Sequence, residues 1–93
     1  MDHRRRYHIT GRVQGVGFRW FTLQAAQRCG VVGWVQNQRD GSVLAEAQGS
    51  AEALTNLIDE LRQGPGCSRV ADIAVQELPV REGADTEDSF EIR

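Results

Sequence analysis

From Tyr7 the chain alternates apolar and polar positions, with Tyr7, Ile9 and Val13 set against His8, Thr10 and Arg12. A period of two is that of a half-buried strand, and it predicts one over Tyr7–Val13. A glycine-rich stretch follows, Gln14-Gly15-Val16-Gly17-Phe18. The period then changes. Phe21, Ala25 and Cys29 recur at four-residue spacing, with Thr22 and Ala26 beside them and Gln24, Gln27 and Arg28 opposite. That spacing predicts a helix over about Arg19–Cys29, ended by Gly30. A second strand is expected over Val31–Gln36 and a turn at Asn37-Gln38-Arg39-Asp40-Gly41, where Asp-Gly is the strongest signal. Ser42–Gln48 alternates again and predicts a third strand. Ser50 then stands as the N-cap of a helix in which Leu54, Leu57, Ile58 and Leu61 form the apolar stripe. Gly64-Pro65-Gly66 stops that helix. Val70–Leu78 reads as a fourth strand, with Ala71, Ile73 and Val75 on one face and Pro79 limiting its end. Arg81–Asp88 is polar and reads as loop, and Phe90 and Ile92 suggest a short last strand.

The order β-α-β-β-α-β with a small extra strand predicts an α+β domain of the ferredoxin-like, split-βαβ kind. Two helices would cover one face of an antiparallel sheet. Many functions share that arrangement, so it decides no chemistry. It does decide proximity. With the first strand pointing up, the first helix runs down and the second strand runs up again. The loop carrying Gly15–Arg19 and the turn opened by Asn37 are therefore expected at the same end of the sheet.

Composition narrows the function classes. The chain has 93 residues, enough for one domain, expected to span 1–93 with residues 1–6 frayed. The hydrophobic fraction of 40% is that of an ordinary globule. The longest nearly apolar run, Val31–Val35, is far too short to span a bilayer. Met1-Asp2-His3-Arg4-Arg5-Arg6 has no apolar stretch behind its charged head and does not read as a secretory signal. We therefore expect a cytoplasmic protein, not bound to membrane, and a monomer. A net charge of −2 does not favour a nucleic-acid partner. All 11 basic residues are arginine. The absence of lysine excludes a phosphate loop of the lysine-bearing type and any Schiff-base chemistry. Two histidines and two cysteines are too few and too scattered for a zinc cluster.

Gly15-Val16-Gly17-Phe18-Arg19 joins a strand to a helix start. Backbone N–H groups there lack intrahelical partners and, with the helix dipole, favour an anion. Glycines let the backbone curl around a phosphate, and Arg19 adds a planar fork of donors. On these local features alone, the segment is equally a phosphate cradle or a tight turn whose arginine points into water.

The motif is longer than the loop. Ile9-x-Gly11-x-Val13-Gln14-Gly15-Val16-Gly17-Phe18-Arg19 resembles the first signature of the acylphosphatase family. Gly33-Trp34-Val35-Gln36-Asn37-x-x-x-Gly41-x-Val43, followed by Gly49, resembles its second. Ser89-Phe90-Glu91-Ile92-Arg93 is similar to the family's C-terminal strand, so the resemblance covers Tyr7 to Arg93. It implies a small cytosolic enzyme, without cofactor or metal, that hydrolyses acyl phosphates to a carboxylate and inorganic phosphate. It implies that the amides of Gly15, Val16, Gly17, Phe18 and Arg19 cradle phosphate, that Arg19 binds it, and that Asn37 orients the attacking water. Inorganic phosphate is then product and competitive inhibitor. A silent anion-binding domain would bind phosphate without turnover, but the Arg19–Asn37 pair argues against it. An RNA-binding module of the same fold would need an aromatic-rich signature that is missing.

Other residues take plainer readings. Trp20 is expected to cover the loop, partly exposed, with a place on the site's rim or against an aromatic acyl group as the alternative. Phe18 is read as a buried anchor and Trp34 as packed on the sheet surface. His8 is read as a surface strand histidine without a carboxylate to orient it. Thr22 is a candidate to support the loop through its hydroxyl. Cys29, closing the first helix, and Cys67, following the second, are expected as free thiols at opposite ends of the sheet, a helix length of roughly 15 Å apart, beyond the ~7 Å of a bridge. Ten of the arginines, and the acidic stretch Glu82–Asp88, are read as solvated surface.

Overall fold

The computed structural model describes residues 1–93. Its strands are β1 (Asp2–Arg12), β2 (Val32–Asn37), β3 (Val43–Ser50), β4 (Arg69–Leu78) and β5 (Phe90–Ile92), and its helices are α1 (Phe18–Cys29) and α2 (Ala51–Gln63). The sheet order is β4-β1-β3-β2-β5. The first four strands pair antiparallel, and β5 adds parallel to β2. This is the expected ferredoxin-like arrangement with its extra strand.

Strand alternation sends successive side chains to opposite faces. Tyr7, Ile9, Val35, Val43, Ala45 and Ala47 meet Ala25, Ala26, Leu54, Leu57 and Leu61 in one core. Each fully buried leucine stabilises the fold by roughly 1.5–3 kcal/mol. The expected stripe of α2 is therefore the one that packs. Ser50 caps α2 as expected, its Oγ accepting from Ala53 N–H at 3.0 Å. Gly30 ends α1 in the left-handed region, its N–H directed at the Ala26 and Gln27 carbonyls. Cys29 is half-buried and Cys67 exposed, and both are free thiols.

The N-terminal residues depart from expectation. Residues 2–6 are not frayed but form the first half of β1, with Arg4 paired to Gln48 and Leu78. Arg4 is fully buried rather than solvated. It lies on the sheet face away from the helices. Its Nε donates to Glu46 at 3.0 Å, and its two terminal nitrogens donate to the Glu87 carboxylate at 3.0 and 3.1 Å. Arg6 donates to the other Glu46 oxygen. A bidentate guanidinium between two carboxylates is among the stronger arrangements a protein can bury.

The polar segment between β4 and β5 explains how that face becomes buried. It links the two edges of the sheet, so it must cross every strand between them. Gln48 clamps it: the Gln48 Nε2 donates to the Arg81 carbonyl, and the Arg81 N–H donates back to Gln48 Oε1, both at 2.9 Å. The Glu87 side chain is only 5% exposed. The expectation of a wholly solvated acidic loop therefore fails at Glu87. Trp34, also on this face, is buried under the Arg93 guanidinium, 5.2 Å from its ring centroid.

Candidate active site

β1 ends in the glycine loop and β2 ends at Asn37. Both point to the same end of the sheet, and β5, parallel to β2, brings Ile92 there as well. These segments enclose a cavity of about 220 Å³. Gly15, Gly17, Arg19 and Asn37 line it on the polar side, and Val13, Phe18, Trp20 and Ile92 on the apolar side.

The loop is built for open amides. Gly15 and Gly17 sit at φ 72° and 80°, the left-handed region that side chains resist. Gly17 is the N-cap of α1 and offers no side-chain acceptor to the first turn, which also contains no acidic residue. The first intrahelical bond runs from Phe21 N–H to the Gly17 carbonyl. The amides ahead of it are those a helix leaves without intrahelical partners. α2 makes the opposite choice, with Ser50 as its cap and Glu52 in its first turn.

Each expected site residue has a definite place. Phe18 is 2% exposed and anchors the loop in the core. Val16 packs against the same core and is not among the residues that line the cavity. Arg19 is half-buried, and its Nη1 donates to the Arg93 carbonyl at 3.4 Å. Asn37 is exposed at the end of β2, its backbone paired with Val43. Trp20 is 59% exposed and also lines the cavity, which joins the covering role to the rim role. Thr22 Oγ1 donates to the Phe18 carbonyl at 2.9 Å, inside the first turn of α1.

Several supporting residues were not visible as such in the sequence. Gln14 Nε2 donates to the Gln38 carbonyl at 2.7 Å and to the Ser42 carbonyl at 2.8 Å. One amide thus ties the glycine loop to the turn after Asn37. That turn closes on itself, with Gln38 N–H on the Ser42 carbonyl and Gly41 N–H on the Gln38 carbonyl. His8 differs from expectation as well. Its Nε2 lies 2.9 Å from Ser42 Oγ, which donates to Asp40 Oδ1 at 2.6 Å. A carboxylate is therefore linked to His8 through one hydroxyl. The Ser42 hydroxyl and amide hold the Asp40 carboxyl below the ordinary carboxylate range.

The acylphosphatase family model matches residues 5–92. An acylphosphatase of Bifidobacterium longum (strain NCC 2705) is 54% identical over 72 residues, which are 77% of this chain and 74% of that one. An acylphosphatase of Nitrobacter hamburgensis is 51% identical over 77 residues, 83% of this chain and 76% of that one. The crystal structure of acylphosphatase from Bacillus subtilis matches with a TM-score of 0.91 at 38% identity, covering 100% of this chain and 99% of that one. No helix is long and apolar enough to cross a membrane.

Proposed function

The chain belongs to the acylphosphatase family, and on that premise we propose that it hydrolyses the carboxyl-phosphate bond of acyl phosphates at the cavity shared by Arg19 and Asn37. The observation that carries this reading is the convergence of Arg19, in the first turn of α1, and Asn37, at the end of β2, on one cavity at a helix start whose amides have no capping side chain. In this reading the amides of Gly15, Val16, Gly17, Phe18 and Arg19 hold the phosphoryl oxygens, and the Arg19 fork takes two of them. Phosphoryl transfer passes through a loose transition state, so positioning and charge stabilisation do most of the catalysis.

Asn37 offers a carbonyl acceptor and an amide donor, a pair that can hold water in line with the leaving group. Water attacks phosphorus, and the bond from phosphorus to the acyl oxygen breaks. The carboxylate leaves with the bonding electrons. An amide is no base, so the water proton passes to a phosphoryl oxygen of the substrate. A carboxylate is a good leaving group, which removes the need for a strong general acid. The products are a carboxylate and inorganic phosphate, and neither a metal nor a covalent intermediate enters the scheme. We take the enzyme to work in the cytoplasm as a monomer, with no nucleic-acid or membrane partner.

The test is release of phosphate from benzoyl phosphate in the presence of a chelator. The proposal expects turnover that the chelator leaves intact and that inorganic phosphate inhibits competitively. Absence of turnover, or its loss to the chelator, overturns it.

A further inference from the structure

We propose that His8 is a positioning residue for this reaction: through the Ser42 hydroxyl it fixes the turn that directly follows Asn37 and so keeps that side chain in register with the phosphate cradle. The inference rests on the function proposed above.

It begins with one proton. Ser42 is 4% exposed, so its hydroxyl has to find partners inside the protein. Asp40 Oδ1 accepts from both the Ser42 hydroxyl, at 2.6 Å, and the Ser42 amide, at 2.9 Å. A hydroxyl carries a single hydrogen. With it directed at Asp40, the oxygen meets His8 Nε2 as an acceptor, and Nε2 carries the hydrogen between them. The donors therefore run in one direction, from His8 to Ser42 to Asp40. This order also excludes Ser42 as an activated nucleophile, because its proton points away from the imidazole.

The same serine is the hub of the site's scaffold. Its carbonyl accepts from Gln38 N–H, directly after Asn37, and from Gln14 Nε2, at the start of the glycine loop, both at 2.8 Å. Asp40 cannot anchor this hub from outside, because it belongs to the same turn. His8 can. It lies on β1, paired on one side with Leu44 of β3 and on the other with Ala74 of β4. A central strand is the most rigid frame the sheet offers, and His8 Nε2 is the side-chain bond from that frame to Ser42 Oγ.

The experiment compares His8→Leu, which removes the donor, with His8→Gln, which keeps an N–H at similar reach. Benzoyl phosphate kinetics, inhibition by inorganic phosphate and exchange of the Gln38 amide by NMR are measured for both. For His8→Leu we expect kcat to fall about tenfold, the scale of a small misplacement. KM and the phosphate inhibition constant stay at wild-type values, and the Gln38 amide exchanges faster. His8→Gln restores kcat and protection together. Unchanged kcat in His8→Leu, a loss confined to KM, or a His8→Gln variant as slow as His8→Leu overturns the proposal. Should wild-type protein fail to hydrolyse benzoyl phosphate, the function falls. Amide exchange then still decides the positioning, and unchanged Gln38 protection in His8→Leu refutes it. If His8→Leu does not fold, Ser42→Ala cuts the same link from the other side and is held to the same split between kcat and KM.

Discussion

Arginine at position 19 differs from lysine in shape rather than charge. A guanidinium presents a planar fork that matches two phosphate oxygens, and an ammonium presents a hydrated point charge. In the fold, Arg19 Nη1 also lies 3.4 Å from the backbone oxygen of Arg93. Arg19→Lys leaves net charge at −2 and adds the only lysine of the chain. We expect kcat/KM on benzoyl phosphate to fall by about 10²-fold, the usual cost of losing an aligned donor to a developing anion. Steady-state kinetics beside an unchanged melting temperature checks it. Arg19 and Asn37 were legible in the sequence because each sits in a contiguous motif. Gln14, Ser42 and His8 were not legible as supports. The His8–Ser42 bond and the Gln14 bonds join separate segments, and Gln14 acts on carbonyls, which carry no sequence identity.

At the scale of elements, the half of β1 that the pattern missed is the more informative half. Alternation predicts a strand only while one parity is apolar. On β1 the face away from the helices carries Arg4, Arg6 and His8, so burial there leaves no hydrophobic trace. The crossing segment from Pro79 to Ser89 was equally opaque. Its Glu87 reads as one more surface acid until the sheet order forces the chain over Arg4. The direction of β5 was beyond reach too, since Phe90–Ile92 is too short to fix pairing. The helices, by contrast, announced themselves through stripe and caps. This account of β1 predicts unequal arginines. Arg4→Met takes from Glu87 its bidentate partner, leaving the longer contacts to Arg81 and Arg93, and leaves Glu46 to Arg6 and Arg81; it should cost about 3 kcal/mol. Arg5, with the exposed Glu77 as its partner, should cost under about 1 kcal/mol when changed to Met. Urea unfolding of the two variants measures the difference, and equal losses would contradict the assignment.

At the scale of the whole molecule, that same face carries two carboxyls depressed on folding. Burial pushes the Glu46 carboxyl up, but hydrogen bonds from Arg6 and Arg4 outweigh it and hold the group below its ordinary value of 4.5. Glu87 follows the same balance, with Arg4 as its main side-chain partner. A carboxyl depressed on folding stabilises the fold fully above its unfolded value, and that stabilisation is lost as pH falls through the folded value. Melting temperature should therefore hold from neutral pH down to about 4.5 and drop below it. Glu46→Gln should melt lower at neutral pH and show a shallower acid decline. A wild-type decline that starts well above that range, or an unchanged slope in Glu46→Gln, would contradict the account. Topology was the most legible feature at this scale, because period and punctuation fix element order. Element order alone placed the glycine loop and Asn37 at one end of the sheet.

In the proposed function the loop and Arg19 bind phosphate, and Asn37 holds the water. The most direct test is Asn37→Ala, assayed for benzoyl phosphate hydrolysis and titrated with inorganic phosphate beside wild type. The division of labour predicts that turnover disappears while phosphate affinity stays close to wild type. Weakened phosphate binding with normal turnover at saturating substrate would contradict it.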